Sequence, residues 1–170
     1  GVSSAASDVY KRQALALFSS LSVSANQDAE VLGVTFGSTC EETVQKLNKD
    51  YGTPKSQSAD KLVYLNEMFE GFKADRVELG FQDLQGTTKL NQARFYFVCP
   101  NKAAAIARMK SLVKKMETHY SVSYDEEDGG TAFYKGGNSP LGIGCLFTIF
   151  VSPYQGKWTC QLRYGKFQFK

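Results

Sequence analysis

The octet Val44-Gln-Lys-Leu-Asn-Lys-Asp-Tyr51 returns 69 residues later as Val113-Lys-Lys-Met-Glu-Thr-His-Tyr120, and this repetition constrains the fold more than any other feature of the chain. Both octets read V-x-K-[LM]-x-x-x-Y. Their apolar positions fall at i, i+3 and i+7, one side of an α-helix, so each octet is the end of an amphipathic helix. The same offset carries Ala93, Phe95 and Phe97 onto Leu162, Tyr164 and Lys166, and Asn101 onto the last residue, Lys170. One octet could recur by chance, but a strand and an end point recurring with it indicate a duplicated unit.

The helix boundaries are written locally. Ser38-Thr-Cys-Glu41 and Thr39-Cys-Glu-Glu42 both fit the capping-box pattern, in which a hydroxyl and a carboxylate satisfy the orphan amides of the first turn. Gly52 and Pro54 end the helix, one by allowing a left-handed cap and the other by refusing to continue it. The second helix is expected to start after Pro100 with Asn101 as its cap and to run to about Tyr120. Ile106, Met109, Val113, Met116 and Tyr120 form its apolar stripe, while Arg108, Lys110, Lys114 and Lys115 occupy other faces.

After each helix the apolar period changes from 3.6 to 2. Val77, Leu79 and Phe81 alternate with polar neighbours, as do Ala93, Phe95, Phe97 and Cys99. In the second unit the same holds for Cys145 to Val151 and for Trp158 to Tyr164. Alternation of this kind describes antiparallel strands with one dry and one wetter face. With Leu62 to Phe69, Thr131 to Lys135 and a leading strand over Val31 to Phe36, the expected fold class is α+β. It consists of two tandem helix-plus-three-strand units forming one antiparallel sheet, with both helices on one face because their stripes need the dry side of the strands. The other face is expected to stay open and to carry Tyr64, Arg76, Glu78, Gln82, Arg94, Tyr96, Thr148, Phe150, Gln161 and Arg163.

Gly33-Val-Thr-Phe-Gly37 leading into Thr39-Cys-Glu-Glu-Thr-Val44, then Leu47, Tyr51-Gly52-Thr-Pro54 and the copy around Val113 to Tyr120, resemble the tandem architecture of the β-lactamase inhibitory protein family. More distantly they resemble small outer-membrane-assembly lipoproteins with one such unit. The resemblance implies binding of another protein through the sheet face or its loops. The chain departs from that pattern by lacking a lipidation cysteine and by placing its cysteines elsewhere.

Ala14 to Ala25, ALALFSSLSVSA, has the apolar run and the small residues at Val23 and Ala25 that a signal peptidase site needs before Asn26. Residues 14–25 therefore read as a truncated signal peptide. Residues 1–13 read as adapter-derived sequence, because DVYKRQ is one translation of a transposon end used in sequencing libraries. Residues 26–170 are expected to form one domain of two repeats, about 31–101 and 102–170, in a periplasmic or secreted protein. Removing Lys11, Arg12 and Asp8 lowers the basic count from 20 to 18 and the acidic count from 17 to 16, for a net charge of +2. That balance gives no general drive towards nucleic acid, which demands several cations on one surface. No apolar run after Asn26 approaches the ~20 residues of a membrane span.

Residue patterns for chemistry are sparse. Cys40, Cys99, Cys145 and Cys160 allow three full pairings, none with metal-ligand spacing. A turn near Gln155 places Cys160 opposite residues 149 to 151, too far from Cys145 for a bridge. His119 is the lone histidine and stands at a lysine-rich helix end, without the paired nucleophile and base of a hydrolase. The acidic turn Asp125 to Gly130 lacks the alternating ligands of a calcium loop, and Glu67 and Glu70 read as surface carboxylates. No catalytic residue, metal site or cofactor is assigned.

Aromatic and arginine side chains on a wet sheet face are the residue types enriched in protein interfaces. Tyr64, Arg76, Arg94, Tyr96, Phe150 and Arg163 are therefore the candidate binding residues of an exported, non-enzymatic protein-binding module using the open sheet face or rim loops. Its partner would be another envelope or secreted protein. The alternatives are an envelope hydrolase or small-ligand-binding protein with a site between the repeats, and a structural envelope component. Since residues 1–25 are read as leader and artefact, deleting them should leave the melting temperature unchanged; a marked fall would place part of that segment in the core.

Overall fold

The computed structural model describes residues 29–126 and 132–170. The leader and artefact readings, and most of the acidic turn, lie outside those residues. Ten strands and two helices follow in order: β1 (Glu30–Val31), β2 (Val34–Thr35), α1 (Cys40–Tyr51), β3 (Ser56–Gln57), β4 (Lys61–Phe69), β5 (Phe72–Leu84), β6 (Thr87–Cys99), α2 (Lys102–Met116), β7 (Val122–Glu126), β8 (Ala132–Gly136), β9 (Phe147–Tyr154) and β10 (Lys157–Gly165).

This corrects the expected α+β class of two helix-plus-three-strand units. The described chain is mostly β, with an eight-stranded antiparallel sheet in the order β3-β4-β5-β6-β10-β9-β8-β7 and a separate β1-β2 pair. Each half places four strands in the large sheet, not three. The missed members are its edges: β3 has two exposed residues, and β7 reads Val-Ser-Tyr-Asp-Glu with no buried side chain. An edge strand without a core face carries no apolar alternation, which is the signal that the other strands announce themselves by.

Local chemistry fixes the connections. Thr39 closes α1 as a capping box, its hydroxyl accepting from the Glu42 amide (3.2 Å) while the Glu42 carboxylate accepts from the Thr39 amide (2.9 Å), and Gly52 caps the other end. Asn101 caps α2 by accepting from the Ala104 amide at 2.8 Å. Four hairpins close through two-residue loops ending in glycine: Leu32-Gly33, Glu70-Gly71, Gln85-Gly86 and Gln155-Gly156. All eight residues have positive φ, the requirement of the type I′ turn that matches strand twist.

The register places Leu62 and Tyr64 of β4, Val77 and Leu79 of β5, Ala93 and Phe95 of β6, Leu162 and Tyr164 of β10, and Ile149 and Phe147 of β9 on one side of the sheet. Leu47 of α1 and Met109, Leu112, Val113 and Met116 of α2 pack into the same apolar cluster. Phe95, Tyr164 and Phe147 form a chain of rings with centroids 6.1 and 5.7 Å apart, a spacing at which aromatic pairs attract. A bulge opposite Phe81 leaves Asn91 as the extra residue of β6. Asn91 is buried, and its carbonyl and amide hold the Phe167 amide and carbonyl, each at 2.9 Å. Phe167 thereby seats its ring edge-on to Phe36 at 4.9 Å.

Leu47 and Met116 are 3 % and 2 % exposed, so each anchors one helix to the shared core. Truncating either to alanine should cost about 2–5 kcal/mol, measured by urea denaturation. A loss below about 1 kcal/mol for both would mean that the helices do not depend on this packing.

Candidate functional site

The helix-free side of the sheet is assembled from the residues between those of the core. Arg76 stands opposite Tyr96, Tyr96 opposite Gln161, Gln161 opposite Phe150 and Phe150 opposite Phe133. The next row runs Glu78, Arg94, Arg163, Thr148 and Lys135. Two rows crossing five central strands thus gather side chains from both halves of the chain. Arg94 and Arg163, related by the 69-residue offset, are direct cross-strand partners.

Five of the six candidate residues lie on this side, and they differ in exposure. Arg76, Arg94, Phe150 and Arg163 are half-buried. Tyr96 is 4 % exposed because the Tyr154 ring lies over it, with centroids 4.4 Å apart. It is a floor residue rather than a contact surface, and burial raises its phenol pKa against the opposing effect of the Arg94 hydrogen bond. Gln161 and Thr159 are also buried, the Gln161 amide donating to the Thr159 hydroxyl at 3.0 Å. Tyr64 is corrected outright: it pairs with Val77, points into the core at 1 % exposure and meets the Tyr51 ring at 5.4 Å. Leu62-Val63-Tyr64-Leu65 is apolar at every position, so alternation could not say which of its residues faced inward.

Electrostatics organises the remaining polar residues. Arg76 Nε donates to Glu78 Oε1 at 2.7 Å, and Lys61 Nζ approaches the same carboxylate at 4.0 Å. With its amide turned to suit its neighbours, the Gln92 carbonyl accepts from Arg94 Nε (2.9 Å) and Nη2 (3.2 Å). The Arg163 guanidinium stacks over Phe150 at 5.1 Å from the ring centroid, the geometry of a cation–π contact. Beside that stack lies a depression of about 420 Å³ lined by Phe133, Thr148, Phe150, Val151, Ser152, Arg163 and Gly165. Gln82, also expected on this face, is occupied by the tail: its amide accepts from the Phe169 amide (2.9 Å) and donates to the Phe169 carbonyl (3.2 Å).

The other motifs separate in space. His119 is exposed and lines a cleft of about 490 Å³ with Tyr120, Lys135 and Cys145. Lys135 Nζ donates to Asp125 Oδ2 at 2.6 Å, and that bond raises the lysine pKa and lowers the aspartate pKa. Glu67 is half-buried and Glu70 exposed; burial raises the Glu67 pKa. Among the described residues no group of three or more His, Cys, Asp and Glu side chains is arranged to hold a metal ion. No described helix is long and apolar enough to cross a membrane. The four cysteines are free thiols, Cys145 half-exposed and the others buried. Cys160 stands opposite Val151, within the span expected from a turn near Gln155.

No family model, curated protein sequence or solved structure matches this chain.

Burial, reinforced by the neighbouring Cys99, pushes the Cys160 thiol from 9.0 up to about 12. Unfolded, the thiol ionises near its ordinary value; folded, it keeps its proton. Between these values the unfolded chain binds fewer protons than the folded one, so this contribution is constant below pH 9 and erodes stability as pH rises towards 12. Urea midpoints at pH 8.5 and pH 11 should therefore fall less steeply in Cys160→Ala than in the wild type. Equal slopes would show that the thiol titrates as it does in water.

Proposed function

We propose that this chain is an exported, non-enzymatic protein-binding module that engages another envelope or secreted protein through the helix-free face of its large sheet. The observation that carries this reading is the grouping of Arg76, Arg94, Arg163 and Phe150, all half-buried, in adjacent cross-strand rows, with Phe150 and Arg163 lining a depression at one end of them. Arginine and aromatic side chains offer large contact area with directional donors, and half-buried ones lose less rotamer freedom on binding than fully exposed ones. Tyr96, Gln161 and Thr159 form a buried floor beneath them, so the face is pre-organised.

The test is affinity capture from an envelope extract on the immobilised full chain, comparing the wild type with the double variant Arg94→Ala/Phe150→Ala. A captured protein should fall at least tenfold in yield with the double variant. It should be unaffected by Lys114→Ala/Lys115→Ala, two exposed positions on α2. Circular dichroism should confirm that both variants keep the fold. Equal capture by a folded Arg94→Ala/Phe150→Ala protein would overturn the reading.

A further inference from the structure

An eight-stranded sheet is about 34 Å across at the ordinary strand spacing, and a packed helix covers only about 10 Å of it. α2 rests on β6, β9 and β10, and the outer strands β7 and β8 extend past it. Between the helix and those strands runs a groove of about 630 Å³ whose lining includes Lys102, Ile106, Met109, Tyr134, Val151 and Trp158. It opens on the helix-bearing side, away from the face proposed above to bind protein. Its volume is within the range of small-molecule sites, which are mostly apolar with a few polar groups to fix orientation.

The lining has a definite chemistry. Ile106, Met109 and Val151 supply an aliphatic wall. Tyr124 and Tyr134 meet edge-on at 5.4 Å, and Tyr124 is 54 % exposed, a large ring left in solvent beside an apolar channel. Among the described residues the charged groups in the lining are two cations: Lys102, whose Nζ sits 5.5 Å from the Trp158 ring centroid, and Lys110, two helical turns further along. Glu126 is outside the lining, and its carboxylate accepts from the Tyr124 hydroxyl at 2.6 Å. An apolar channel with cations along its helical wall is complementary to an apolar chain ending in an anion.

We infer that this groove binds a free single-chain anionic amphiphile of the fatty-carboxylate class, its chain lying along Ile106, Met109 and Val151 and its carboxylate beside Lys102 and Lys110. Trp158 is the only tryptophan of the chain, so its fluorescence reports the groove directly.

The experiment titrates the full chain with octanoate, decanoate and dodecanoate below their micelle concentrations, following Trp158 emission and, independently, heat of binding. Saturable binding is expected, tightening about fourfold for each methylene buried until the groove is filled. Lys102→Met and Lys110→Met should each weaken dodecanoate at least threefold by calorimetry, whereas Lys114→Met leaves it unchanged. Dodecyltrimethylammonium, with the same chain and the opposite charge, should bind at least fivefold more weakly than dodecanoate. No saturable binding, no dependence on chain length, or equal affinity for the cationic amphiphile would overturn the inference. Co-sedimentation with phosphatidylglycerol vesicles in the absence of monomer binding would overturn it too, by making the groove part of a membrane-contact surface.

Discussion

The pairing of β6 with β10 is the interaction on which the rest of the structure depends. It sets Phe95 opposite Leu162 and Phe97 opposite Cys160, all buried, and it is the only place in the strand order where the two halves of the chain meet within the large sheet. Joining them edge to edge removes two exposed strand edges and fuses two apolar surfaces into the single cluster that receives both helices. The strand order also reads symmetrically from this junction, β3 matching β7, β4 matching β8, β5 matching β9 and β6 matching β10. That symmetry is what brings Arg94 against Arg163, its counterpart in the 69-residue repeat.

The width of the joined sheet then decides where the molecule can interact. One side is partly roofed by helices and holds the core; the other has a floor of buried polar and tyrosine side chains, with Tyr154 folded over Tyr96 and Gln161 bonded to Thr159. A buried hydrogen-bonded floor fixes the rotamers above it more firmly than water would, so Arg76, Arg94, Arg163 and Phe150 are presented from strands rather than from loops. The region beyond α2 is different in kind. There the helix stops short of β7 and β8, leaving aliphatic and aromatic side chains facing each other across a channel. That channel follows from the mismatch between sheet width and helix coverage.

The parts of this fold that were legible in the sequence are those whose physics is local. Thr39 and Glu42 cap α1 as their spacing required, Asn101 caps α2, and the turn expected near Gln155 closes at Gln155-Gly156. Arg94 and Arg163 alternate with apolar neighbours, so their side of the sheet could be read directly. The failures share one cause. β3 and β7 belong to the sheet by backbone hydrogen bonds, to which Ser-Gln or Val-Ser-Tyr-Asp-Glu contribute no side-chain signature. Tyr64 sits in a run apolar on both sides, and its face was chosen by pairing with Val77. Tyr96 has the expected side but not the expected exposure, because Tyr154 reaches it from the tip of a neighbouring hairpin.

The sequence by itself determined the two capped helices, the turn near Gln155 and the alternating strands, since propensity, capping and side-chain period act over fewer than eight residues. Only the tertiary structure decided that the sheet has eight strands rather than six, that its halves join through β6 and β10, that Tyr64 lies inside, and that α2 leaves an apolar channel beside β7 and β8. These depend on strand pairing, between residues up to 73 positions apart in the β6–β10 seam, and on how much sheet a helix can cover. Pairing energy resides in backbone groups common to every residue, so the residue types alone leave it unspecified.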